Sequence, residues 1–215
     1  MFTWLNHTIL KEYLDGGGIM HMLLVCIVLG LGILIERCYS LFIKIKLNPK
    51  IFMAKLISTV EDKGINEGIA LCDQTPSPVA KMLRAALQKA DAGKNTIEEA
   101  ITRAAAVELG FLDRGMALLA GLTTVAPFLG FLGTVTGMMR SFAAIAAAGE
   151  VEPTIVASGI SEALITTKWG LLIAAPLAIF HILLAGKIDG YTRDMDEAAA
   201  GIVNFLTEHY PGIKK

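Results

Sequence analysis

The chain has 215 residues, 54% of them hydrophobic and 18% charged, with a formal net charge of −1 and a mean hydropathy of +0.58. Soluble domains hold about 45–50% apolar residues, so this composition argues against one and makes a bilayer the natural solvent. Cys26, Cys38 and Cys72 have neither CxxC spacing nor the density of a disulfide scaffold, which leaves no case for a metal site or a bridged secreted fold.

In chain order, residues 1–18 read as a periplasmic interfacial helix. Phe2, Thr3, Trp4 and Leu5, then Ile9, Tyr13 and Leu14, lead to the stop at Gly16-Gly17-Gly18. Without a basic n-region or a small-residue cleavage site, the apolar run that follows reads as a retained anchor. Ile19 to Ile35 lacks Asp, Glu, Lys and Arg, and apolar character resumes from Cys38 to Ile43 after Glu36 and Arg37. Residues 19–43 therefore form transmembrane helix 1, since about 20 residues suffice to span. Residues 44–115 are predicted to be a cytoplasmic helical region. Asn48-Pro49 suits an N-cap with proline at the first helical position, Lys63-Gly64 and Pro76-Ser77-Pro78 break the chain, and Thr96-Ile97-Glu98-Glu99 reads as a capping box. From that box to Gly149 only Pro127 and several glycines intervene, which predicts one long rod.

Residues 116–148 form transmembrane helix 2, uncharged to Met139 and extended past Arg140. Residues 155–188 form transmembrane helix 3, interrupted by Glu162 and Lys168, and 149–154 is a periplasmic turn with Gly149 and Pro153. Pro127 and Pro176 are expected to kink their helices. Residues 189–215 complete the chain as a cytoplasmic C-terminal helix and tail. No strand pattern is visible, so the fold class is all-α, with long helices reaching into the cytoplasm. Most of the 19 Lys and Arg fall between 44 and 115, while residues 1–18 hold only Lys11 and the turn none. By the positive-inside rule the N-terminus and the turn lie outside and the C-terminus inside.

Folding the hairpin about Val151 sets its polar residues in layers. Thr134 lies 17 residues before that point and Thr167 16 after it, which puts both about 25 Å from the turn. Arg140 and Glu162 share a second layer, and Pro127 and Pro176 a third. A membrane threonine commonly bonds its own backbone; two at one depth can instead face water or a proton relay. Glu162 is costly in an apolar span unless it is paired, protonated or wet, which makes it a functional candidate. An Arg140–Glu162 pair that only fixes helix register is the alternative, and both readings can hold together. Lys168 can line a wet interior, pair with a partner's acid or snorkel. Gly130, Gly133 and Gly137, with Ala143, Ala144, Ala147 and Ala148, permit close helix approach and favour oligomerisation.

The run Pro127-Phe128-Leu129-Gly130-Phe131-Leu132-Gly133-Thr134-Val135-Thr136-Gly137-Met138-Met139, with Gly159-Ile160-Ser161-Glu162-Ala163-Leu164-Ile165-Thr166-Thr167 and Gly170-Leu171-Leu172-Ile173-Ala174-Ala175-Pro176, resembles the MotA/TolQ/ExbB proton channel family. The likeness is nearest to ExbB and TolQ. It extends over nearly the whole chain in topology and is most specific over 124–178; the four-span flagellar member fits three spans poorly. The resemblance implies a ring, a pentamer, around a dimer of a single-span ExbD/TolR-like partner whose aspartate carries protons. It implies a multi-pass location in a bacterial inner membrane and work through a TonB-like protein. Thr134 and Thr167 become pore-facing beside that aspartate, Thr166 joins the pore-lining set, Glu162 is the family's span-three glutamate, and Arg140 and Lys168 are charge partners that depart from the family pattern. Protons are the coupling ion, with no cofactor, no metal and no nucleic-acid partner expected.

Nutrient import, envelope maintenance and motility are all compatible, because that choice resides in the partner's exterior domain. A self-contained secondary transporter would need discontinuous helices and usually an inverted repeat, neither of which is visible. A structural membrane scaffold remains the rival that tolerates changes at Glu162 and Thr167. An enzyme is not expected, since no nucleophile and base occur at recognisable spacing.

Overall fold

The computed structural model describes residues 2–44, 48–149 and 152–209, with side chains from Ile9 onward apart from residues 43 and 44. Every regular element among them is helical: α1 Phe2–Asp15, α2 Ile19–Cys38 with a π-helical continuation Tyr39–Lys44, α3 Pro49–Lys63, α4 Ile65–Asp73, α5 Pro78–Leu87, α6 Lys94–Leu112, α7 Met116–Ala148 and α8 Pro153–His209. Three apolar stretches are long enough to cross a membrane, Ile19–Phe42, one ending at Ala148 and one beginning at Pro153. The chain divides into two compact units, one of residues up to Glu36 with Gly115–Leu183, the other of Arg37–Arg114 with residues from Leu184 onward.

In the first unit, α2 meets α8 where Leu177 lies over Gly30, with Leu23, Ile173 and Leu177 buried. Only 22–28% of the most apolar window of each span is buried inside a single copy. Phe128, Phe131, Met139 and Phe142 of α7 and Leu171, Leu172, Ile182 and Leu183 of α8 are exposed. A water-soluble monomer does not leave so much contiguous apolar surface open; lipid or further protein must cover it. Pro127 and Pro176 lie inside helices that continue on both sides of them. Having no N–H, each leaves the carbonyl four residues earlier, Thr123 and Leu172, without its usual donor.

The second unit has a conventional apolar core of Phe52, Leu56, Val60, Met82, Leu83, Leu87, Ile97, Met195, Ile202 and Leu206. Its helix starts follow local chemistry. The Asn48 side chain accepts from the backbone N–H groups of Lys50 (3.2 Å) and Ile51 (3.5 Å) with Pro49 behind it. The chain breaks at Gly64, φ 90°, and α5 opens at Pro78. Cys72 is buried among these helices, and burial pushes its thiol up to about 11, so it is an inert apolar side chain at neutral pH.

Two expectations are corrected here. Helix α6 opens at Lys94 with Gly93 as its cap, so Thr96 lies inside the first turn and makes no cap; Gly93 takes the extended conformation (φ −56°, ψ 156°) from which a helix is entered. The single rod is also broken. Helix α6 stops at Leu112 and α7 starts after Gly115, whose φ is +80°. Buried Arg37 donates from Nη1 to the carbonyls of Phe111 (3.1 Å) and Leu112 (3.2 Å). Those two acceptors would have gone to Gly115 and Met116 in an uninterrupted helix, so a guanidinium takes over what the break releases. Replacing Arg37 with Met should cost about 2–3 kcal/mol, the scale of hydrogen bonds from a charged donor plus orphaned carbonyls. Thermal unfolding of the detergent-solubilised protein reads this, and an unchanged midpoint would assign the break to Gly115 alone.

Candidate functional site

Small residues bring α7 and α8 together. A Cβ at Gly130 would stand 3.0 Å from the Thr166 carbonyl oxygen, one at Gly137 3.0 Å from that of Gly159, and one at Gly170 2.7 Å from that of Ala126. The two backbones are in contact along this antiparallel seam, as small-residue positions allow. The hairpin midpoint at Val151 lies outside the described residues, with Glu150. The contacts themselves set the register, running from Ala126 against Gly170 to Gly137 against Gly159.

The threonines occupy three different situations. Thr166 is fully buried; its hydroxyl donates to the Ala163 carbonyl (2.8 Å), and its side chain fills the space that Gly133 leaves. It therefore belongs to the seam and not to an open face of this chain. Half-buried Thr167 reaches both its own Ala163 carbonyl (3.3 Å) and, across the seam, the Gly130 carbonyl (3.2 Å). Half-exposed Thr134, one turn beyond Gly130, donates to Phe131 (2.6 Å). Thr134 and Thr167 thus lie within about one helical turn of each other along the seam, each with hydroxyl lone pairs free to accept.

Arg140 and Glu162, level in the sequence arithmetic, are in contact: the Arg140 Nη1 donates to Glu162 Oε1. The carboxylate is the more sheltered partner, 19% exposed against 61% for the guanidinium. A Cβ at Gly17, φ +66°, would collide with Glu162 Oε1 and lie 3.0 Å from Arg140 Nη1, so the turn between α1 and α2 rests on this pair.

Sequence reasoning missed Glu12. Its Oε2 accepts from the Lys168 ammonium (2.5 Å) and from the Trp169 indole N–H (2.9 Å). The hydrogen bond from Lys168 holds the Glu12 carboxyl below the ordinary carboxylate range, against the upward push of burial, with the Trp169 bond adding to it. The acid that meets Lys168 is thus this chain's own. The C-terminal half of α1 packs against α8, and Ile9 and Tyr13 share with Met20, Leu23, Trp169 and Ile173 the lining of an apolar cavity of about 310 Å³. The expected anchors Phe2, Thr3, Trp4 and Leu5 have side chains outside the described residues. The only sequence signal for this contact is the pair of unsatisfied charges, an acid in α1 and a lysine in span three. No cluster of His, Cys, Asp and Glu able to hold a metal occurs among the described residues.

An all-helical protein with membrane-length apolar helices, a glycine-lined hairpin and hydroxyl and carboxylate groups inside its spans is a membrane protein of the ion-handling class. The chain belongs to the MotA/TolQ/ExbB proton channel family, whose model matches residues 74–197. It is 33% identical over 196 residues to an ExbB-like biopolymer transport protein of Synechocystis sp., covering 89% of this chain and 75% of that one. With an ExbB homolog of Methanothermobacter thermautotrophicus it shares 29% identity over 182 residues, 85% of this chain but only 64% of the relative's length. The fold is shared with a chain of the C. jejuni MotAB structure at a TM-score of 0.64 and 15% identity, over 98% of this chain and 89% of that one. The poor fit expected for the four-span member does not extend to the fold.

Proposed function

We propose that the chain is the ring subunit of a proton-motive-force-driven motor of the inner membrane. Five copies surround a dimer of a single-span ExbD/TolR-like protein, with the N-terminus periplasmic and the C-terminus cytoplasmic. The motor works on the outer membrane, energising TonB-dependent transport through a TonB-like protein. The observation that carries the reading is Thr167, whose hydroxyl bridges from α8 to the Gly130 carbonyl of α7 about a turn from Thr134. Membership of a proton channel family and the uncovered apolar faces of a single copy support it.

In this reading the partner's carboxyl, protonated from outside, meets the two hydroxyls. A hydroxyl accepts from the protonated acid and donates to the ionised one, so one layer serves both states. Loss of the proton inward changes the charge at the ring axis and favours a new rotational position. One charge crossing the membrane field is worth about 2.3 kcal/mol per 100 mV, enough to bias each step.

Capturing the full chain with its single-span partner and reconstituting the complex in vesicles tests this. Replacing both Thr134 and Thr167 with alanine should leave assembly intact and reduce proton flux by about a hundredfold, a typical loss for proton-transfer groups. Undiminished flux from an assembled double variant, or failure to capture any single-span protein, would refute the reading.

A further inference from the structure

We propose that Glu12 is a built-in counterion that neutralises Lys168 beside Thr167, making the N-terminal helix a positioning part of the proton site. The inference rests on the reading of Thr167 given above. Lys168 follows Thr167 directly, and its stem lines a groove along α8 with Ala157, Ile160, Ser161, Leu164 and Ile165. An unpaired ammonium there would hold any carboxyl docking at Thr167 in its ionised form, because a nearby opposite charge favours the charged state. A proton carrier trapped that way could not reload. The bond from Lys168 Nζ to Glu12 Oε2 supplies the missing negative charge, and the Trp169 indole N–H fixes that carboxylate from a second side.

A separate contact holds the same segment in place. The Gly16–Gly18 turn lies against the Arg140–Glu162 pair so closely that a side chain at Gly17 would collide with Glu162. The N-terminal segment therefore touches α8 at two charged residues, Glu162 through the turn and Lys168 through Glu12. Each cation of this part of α7 and α8, Arg140 and Lys168, has an acid from the same chain, so neither is unmatched before the partner's carboxyl arrives.

Two measurements decide the matter. In vesicles holding the full complex, Glu12→Gln keeps the side chain's size and should slow proton flux by about tenfold or more, the effect of one unit of carboxyl pKa. Adding Lys168→Met removes the cation that needed neutralising and should restore most of the flux. A purely structural clamp predicts the opposite, a double variant no faster than the single one, and that result would overturn the proposal. Separately, acetic anhydride labelling of the detergent-solubilised full chain, read by mass spectrometry at Lys168, should speed up in Glu12→Gln, since the ammonium loses the carboxylate that holds it against α1 and opens to the reagent. An unchanged labelling rate would overturn the proposal by itself. If the unaltered complex carries no protons, the functional reading fails on its own while the labelling still decides the pairing.

Discussion

Replacing Glu162 with alanine is expected to destabilise the complex, whereas Glu162→Gln should keep it assembled and stop proton-driven work. The two outcomes separate the ion pair that the structure shows from the proton role expected of Glu162. The carboxylate neutralises Arg140, and the guanidinium is the more open partner of the pair. Within a span, that openness faces lipid or protein, where an unmatched Arg costs about 2.5–3.5 kcal/mol by insertion scales. Alanine leaves the cation bare beside the empty space against Gly17. Glutamine keeps the volume and an accepting carbonyl for Arg140 but cannot take up a proton. The decisive variant is the double replacement Glu162→Gln with Arg140→Gln, read by detergent melting temperature and by proton flux. Restored stability with flux still lost assigns Glu162 to the proton path. Flux restored to within about twofold would reduce Glu162 to a register-fixing ion pair, the alternative reading of such pairs.

Gly170→Leu should abolish the α7–α8 seam, and even Gly170→Ala should cost about 1–3 kcal/mol, the range for forcing extra volume into a packed contact. What a new Cβ meets decides this. At Gly170 it would strike the Ala126 carbonyl oxygen at 2.7 Å and the Gly130 Cα at 3.0 Å, both backbone atoms that move only if the helices separate. At Gly133 the nearest atoms belong to the Thr166 side chain; the threonine is fully buried, so alanine there should also destabilise, but by a side-chain rearrangement. Gly121, on the same helix α7, has nothing within 4 Å of a new Cβ. Its replacement by alanine should be neutral or favourable by up to about 1 kcal/mol, since alanine is the better helix former. Yield of assembled complex on native gels, compared across Gly170→Ala, Gly133→Ala and Gly121→Ala, checks the order. Equal yields would show that the seam is looser than these contacts require.

The sequence by itself determined what depends on neighbours along the chain. Apolar run length set the spans, proline and glycine placed the breaks at Gly64 and Pro78, and the fixed rise of a helix put Arg140 level with Glu162 and Thr134 within a turn of Thr167. The motif residues likewise pointed to the family. Only the tertiary structure decided what depends on residues far apart. Arg37 takes the carbonyls of Phe111 and Leu112, which stabilises a break where the scarcity of helix breakers predicted one long rod. Thr166, next to Thr167, is turned into the seam because Gly133 makes room for it. Lys168 finds Glu12 across 156 residues. Rise and periodicity are properties of one helix, whereas the partner of a charge is chosen by whichever element packs against it, and no spacing along the chain records that choice.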